Sequence, residues 1–201
     1  ANEKLAGSGS AGEVGRAHAR YYRAFLARRA EALRTRDQES ALAEIHAEIG
    51  IAAAAWRWLV EARAVAAIKD CVEPLYQYYT IRSLFEEGIA LFQPAVQALE
   101  DMYATNPVHE VTLCLSMLFS RVGALAHYAR QNNLALSTLE RALAIFEQID
   151  CPSEAASCRA ALGGAYLRAK DFASALACGE QNLAYARLVT DPRGQNRALY
   201  L

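Results

Sequence analysis

The chain has 201 residues, 54 % of them hydrophobic and many of those alanine; glycine (11) and proline (5) are scarce, which argues against a turn-rich all-β fold and for a nearly all-α one. A net charge of −1 leaves no global field to favour nucleic acid or an anionic membrane. No run approaches the roughly 18 apolar residues of a membrane span, and no secretory signal pattern is present, so a cytoplasmic protein with no membrane partner is expected.

Residues 1–15 contain "GSGSAGEVGR", in which Gly7 and Gly12 have the spacing of a phosphate-binding loop. That loop needs a lysine and then a hydroxyl next, and this chain has Glu13 and Val14. A flexible Gly/Ser linker is the expectation instead. The opening Ala, in place of Met, reads as the start of a segment cut from a longer polypeptide.

A first helix is predicted over 16–36, with Tyr22, Phe25, Arg29 and Leu33 near one face. Arg16, Arg20, Arg23, Arg28, Arg29, Arg34 and Arg36 are offset there only by Glu31. Three readings are open: a solvated face paired to Asp37, Glu39, Glu44 and Glu48, a docking surface for another domain, or a nucleic-acid surface. A second helix is predicted over 38–61. Its seam is Leu42, Ile45, Ile49, Ala52, Trp56 and Leu59, spaced by three and four. Trp56, Trp58 and "YQYY" (Tyr76 to Tyr79) read as interhelical core more readily than as a ligand cage.

Further helices are predicted over 107–130, 133–149, 152–169, 172–189 and from 192 onward. Pro107, Pro152 and Pro192 suit first-turn positions. Asn106, Asn133, Asp171 and Asp191 suit caps. The short joins make neighbours antiparallel. Glu86 and Glu87 begin a helix, where the dipole favours them without any catalytic role.

Four histidines are present, and none forms H-E-x-x-H; His46 lies between Glu44 and Glu48 but lacks further ligands in sequence. No G-x-S-x-G occurs. The five cysteines are odd in number and without C-x-x-C, so they read as reduced core residues. No catalytic, cofactor-binding or metal-ligating residue is expected.

An internal repeat is visible. The segments from Val122-Gly123 and from Leu162-Gly163 match at an offset of 40 residues, with Ala135 and Ala175, then Leu143 and Leu183, in register. A fainter copy upstream places Gly88 at the small position. Small residues let paired helices approach, with Tyr166 and Phe172 expected to fill the gaps beside them. Such pairs bury their second faces by stacking.

"LGGAYLRAKDFASALA" resembles the tetratricopeptide repeat through Leu162, Gly163, Tyr166, Phe172 and Ala175. It departs from that pattern at Lys170, where glycine is usual, and at Gly179, where a bulky apolar residue is usual. The long period is similar to that of repeats in the C-terminal sensor regions of bacterial STAND-class signal-transduction ATPases and transcriptional regulators. Glu48, Ala54, Ala55 and Trp58 resemble the segment that joins ATPase to repeats in that group; Ile51, Ala52 and Ala53 depart from it.

The resemblance implies an all-α fold of antiparallel helix pairs stacked as a right-handed α-solenoid. Its parts would be a linker at 1–15, a connector at 16–62 and repeats over 63–201 (63–101, 107–150, 152–190 and a truncated 192–201). It implies a concave groove lined by the first helix of each pair, placing Gln77, Ser120, His127, Tyr128, Leu167 and Arg168 at a partner-binding surface. The expected function is non-catalytic protein or peptide binding within a larger ATP-dependent regulator, with an upstream ATPase domain of the same polypeptide as a further partner. The alternative is a small effector held in the solenoid; nucleic acid is disfavoured.

Overall fold

The computed structural model describes residues 2–189, with side chains from Gly12 onward. The chain divides into two compact units, residues 1–83 and 84–201. Among the described residues all regular structure is helical. The expected helix at 192–201, with Asp191 as its cap, lies outside the described residues.

The first unit contains α1 (Asn2–Ala30), a 3-10 turn (Ala32–Arg34), α2 (Gln38–Glu61) and α3 (Val65–Ile81). The linker expected over 1–15 is corrected: α1 is helical from Asn2. Packing explains why glycine is useful there, since a Cβ on Gly15 would run into the Trp58 ring on α2. The α1 face carries buried Tyr22, Phe25 and Leu26. Arg29 fits that apolar face by lying over the Phe25 ring, 3.6 Å from its centroid, and pairing with Glu44 of α2. Ile45, Ala52, Trp56 and Leu59 of the predicted α2 seam are buried, joined by Ala41, Ala55 and Val60. Leu42 and Ile49 are half-buried at its margin.

α3 packs on both α1 and α2. It buries Ile68, Val72, Leu75, Tyr78 and Tyr79. Two α1-side arginines find their acids on α3 and not on α2: Arg23 Nε donates to Asp70 at 2.7 Å, and Arg34 Nη2 to Glu73 at 2.6 Å. The chain divides at 83/84 rather than at the expected 62/63, so the expected pair 63–101 has one helix in each unit.

The second unit contains α4 (Phe85–Thr105), α5 (His109–Tyr128), α6 (Asn132–Gln148), α7 (Pro152–Ala169) and α8 (Phe172–Leu188). Each packs on the next, and α7 also returns to α5. α5 is long and apolar enough to cross a membrane by length and composition, contrary to the expectation that no such run exists; 72 % of that stretch is buried, as the central helix of this unit.

Glycine at position 123 has a steric cause. A Cβ there would stand 2.6 Å from Leu139 Cγ and from Thr138 Oγ1 on α6. Cys158 of α7 reaches the same helix, its thiol donating to the Leu139 carbonyl at 3.3 Å.

The turns repeat one geometry. Arg63, Arg130, Asp150 and Lys170 all take positive φ, between 51° and 63°. In each, the next N–H donates to the carbonyl five residues back: Ala64 to Leu59, Gln131 to Ala126, Cys151 to Phe146, Asp171 to Tyr166. This closure satisfies carbonyls left open at a helix end. The turns at Arg130 and Lys170 stand 40 residues apart, the offset of the sequence repeat.

One capping expectation holds and two are adjusted. Asp171 caps α8, accepting from Ser174 N at 3.1 Å. Asn106 instead ends α4, and Val108 precedes α5 without a side-chain cap. Asn133 is already inside α6, behind Gln131. Pro152 does stand at the start of α7, whereas Pro107 precedes its helix by two residues. Phe172 does not fill a gap: it is 66 % exposed.

Candidate functional site

The first helices of the two matching segments, α5 and α7, carry the side chains that converge. His127 and Tyr128 end α5; Leu167 and Arg168 end α7. Their neighbours in the core explain why these four stand at its edge. Leu125 and Ala126 are buried on α5 and Ala165 on α7, and the apolar pattern stops after them.

The Tyr128 ring is 47 % exposed and stacks on Phe85 of α4, with centroids 5.4 Å apart and planes at 29°. The His127 ring is 5.5 Å from that of Tyr128. Its Cε1–Nε2 edge faces Gly164, where a Cβ would come within 3.3 Å of both atoms. Its Nδ1 is buried with no hydrogen-bond partner among the described residues. Burial, and then the Arg168 guanidinium, hold the imidazole below its ordinary value. Arg168 is exposed and has no ion-pair partner among the described residues. Leu167 is exposed beside it in sequence.

So His127, Tyr128 and Arg168 are brought together. Ser120 is not part of this surface, which corrects the expectation: it is 4 % exposed and bonds Cys158 inside the α5–α7 contact. Its place in the run Leu118-Phe119-Ser120-Arg121-Val122 was the signal for burial. Gln77 belongs to the first unit, on α3, where its Nε2 donates to Glu73 at 2.9 Å while its Oε1 is buried and unpartnered. Phe85 and Gly164 complete the site and were not singled out in sequence. Gly164 was legible only as the second glycine of "LGGAY".

The other candidates have partners within the first unit. His46 Nδ1 lies 2.9 Å from Tyr78 Oη, Glu48 accepts from Tyr22 at 2.7 Å, and Glu44 is held by Arg29. The Glu48 bond, with burial, pushes the Tyr22 hydroxyl up to about 12. No three His, Cys, Asp or Glu side chains gather into a metal-holding group among the described residues. Trp56, Tyr78 and Tyr79 are buried and form no cage. None of the five cysteines is in a disulfide. Burial pushes the Cys71 thiol up to about 12 and that of Cys158 to about 11, which leaves them protonated and poor nucleophiles.

A separate cavity of about 620 Å³ lies where α6 ends and α7 begins, with α8 along its side. Phe146, Pro152, Tyr185 and Leu188 give it apolar walls. Arg159 also lines it, holding Glu147 and Asn182 at 3.0 Å each.

Comparison with protein-family models gives no match to this chain, and comparison with curated proteins gives none either. The geometry defines an all-helical protein with a mixed aromatic and cationic surface on two successive odd-numbered helices.

Proposed function

We propose that the chain is a non-catalytic helical-repeat module that binds a protein or peptide segment across α5 and α7. The observation that supports this reading most directly is the surface itself. Exposed Tyr128 and Leu167 offer apolar contact, Arg168 offers a free cation, and all three sit at equivalent ends of repeated helices. Such variety suits a segment with several side chains better than a single ion.

The 40-residue repeat of sequence and turn geometry supports stacking of helix pairs as a tetratricopeptide-like right-handed solenoid. With the STAND-like features of the first unit, it supports a sensor or scaffold part of a larger ATP-dependent signalling or transcriptional regulator in the bacterial cytoplasm. Segment binding would then bias the on/off equilibrium of an attached ATPase through differential affinity for its two states.

The test is selection of a random peptide library on the full chain. Recovered peptides are then measured against a double variant, Tyr128→Ala with Arg168→Ala. The expected result is about tenfold weaker binding, roughly 1.4 kcal/mol, with an unchanged melting temperature. Unchanged affinity overturns the assignment of this face.

A second reading is a small effector, favoured by the α6–α8 cavity of about 620 Å³, which falls in the range of ligand pockets. A thermal-shift screen with metabolites separates the two: a hit that depends on Tyr185 rather than on Tyr128 selects the cavity.

A further inference from the structure

His127 and Arg168 form a notch with an unusual balance of charge. α5 packs on α4, α6 and α7. Of the charged groups on those helices, Arg168 of α7 lowers the value of the imidazole, while Glu86 and Glu87, next to Phe85 in the first turn of α4, are exposed. The acids nearest in sequence to Arg168 are engaged or distant: Asp171 binds Ser174 through both its hydroxyl and its N–H. On the α6 side, Glu140 accepts from Tyr166 at 2.7 Å. The Cε1–Nε2 edge of the ring lies against Gly164 of α7, one helical turn before Arg168.

A carboxylate is the group this arrangement lacks. It would accept from the Arg168 guanidinium and, once the ring has taken up its second proton at Nε2, from that N–H of His127, a charge-assisted pair of bonds. Tyr128 and Phe85, stacked beside it, would take an adjacent apolar side chain.

We propose that the bound segment presents an Asp or Glu side chain to the His127–Arg168 notch, and that binding takes up a proton at His127. The second half follows from the first by linkage. In the free protein the imidazole is neutral near pH 7, because burial and Arg168 both disfavour its charge. A carboxylate beside it reverses the second influence and raises its value in the complex. Affinity is therefore greatest below the free-state value, falls as pH rises through the bound-state value, and is flat above it. This inference rests on the segment-binding reading and specifies its ligand chemistry.

The experiment uses the full chain and a random dodecapeptide library, selected in parallel at about pH 5.5 and about pH 8. If binding moves the titration of His127 upward by about one pH unit, affinity changes by about tenfold. The expected pool at the lower pH is enriched in Asp or Glu next to an apolar residue, and binds more tightly there than at the higher pH, by up to about tenfold. His127→Gln removes the pH dependence while Arg168→Ala weakens binding at both pH values. Arg187→Gln, an exposed arginine on α8, changes neither and excludes general attraction of acidic peptides. A pool that binds at the α5–α7 face without acidic enrichment, or with a pH dependence that survives His127→Gln, overturns the inference and leaves the segment-binding reading standing. Recovery of no binding pool overturns both.

Discussion

At Gly123 the absence of a side chain is what lets α6 close on α5. The Leu139 and Thr138 atoms that would meet a Cβ at 2.6 Å belong to buried side chains, so they have little room to give. Gly123→Ala gains helix propensity of up to about 1 kcal/mol, but overpacking costs about 1–3 kcal/mol. The net expectation is destabilisation, read as a lower urea midpoint with unchanged slope. Gly12→Ala, where a Cβ meets nothing within 4 Å, is the control and gives no loss. The importance of Gly123 was legible, since it opens the repeated pattern. The burial of Ser120 was signalled only by its apolar neighbours, because Cys158, which bonds its hydroxyl, lies far along the chain. Arg29 shows the opposite case: an arginine within an apolar stripe looks like an interruption, yet its flat guanidinium lies on Phe25 and belongs to that face.

Among the helices and turns, Lys170 marks the clearest strain. Its φ of 63° lies in the left-handed region, where glycine is at ease and lysine is not. It also stands where the resembled repeat has glycine, so the departure noticed in sequence corresponds to a residue held by its turn. Lys170→Gly is expected to add about 1 kcal/mol of stability, a rise of roughly 2–4 °C in melting temperature; Lys170→Ala, which keeps a Cβ, gives no such rise. Asp171 next to it locks the start of α8. The hydroxyl and then the N–H of Ser174 hold its carboxyl below the ordinary range, so this contribution is present above that range and lost as pH falls through the lowered value. Helix limits from α5 to α8 were legible to within about two residues, because apolar spacing and chain-breaking residues agreed. The start of α1 was not. Gly and Ser read as linker, and the contact that gives Gly15 its purpose comes from Trp58, a tertiary fact. Arg23 and Arg34 likewise found acids on α3, which periodicity cannot rank against those on α2.

Across the molecule, the 40-residue offset seen in sequence returns in the turns at Arg130 and Lys170, which share one geometry. The division at 83/84 was not legible, since α3 carries a repeat-like pattern while its ion pairs tie it to α1 and the turn after it. The site was legible in part. Four of the six expected groove residues lie at the ends of α5 and α7, while Ser120 is interior and Gln77 belongs to the other unit. The central claim is that a partner segment lies across α5 and α7. The most direct measurement is the change in backbone amide NMR shifts of the full chain on titration with a selected peptide. The account predicts that shifts at His127, Tyr128, Leu167 and Arg168 saturate together while those around exposed Phe172 and Leu176 on α8 hold still. Saturable shifts on α8 with none at the ends of α5 and α7 would contradict it.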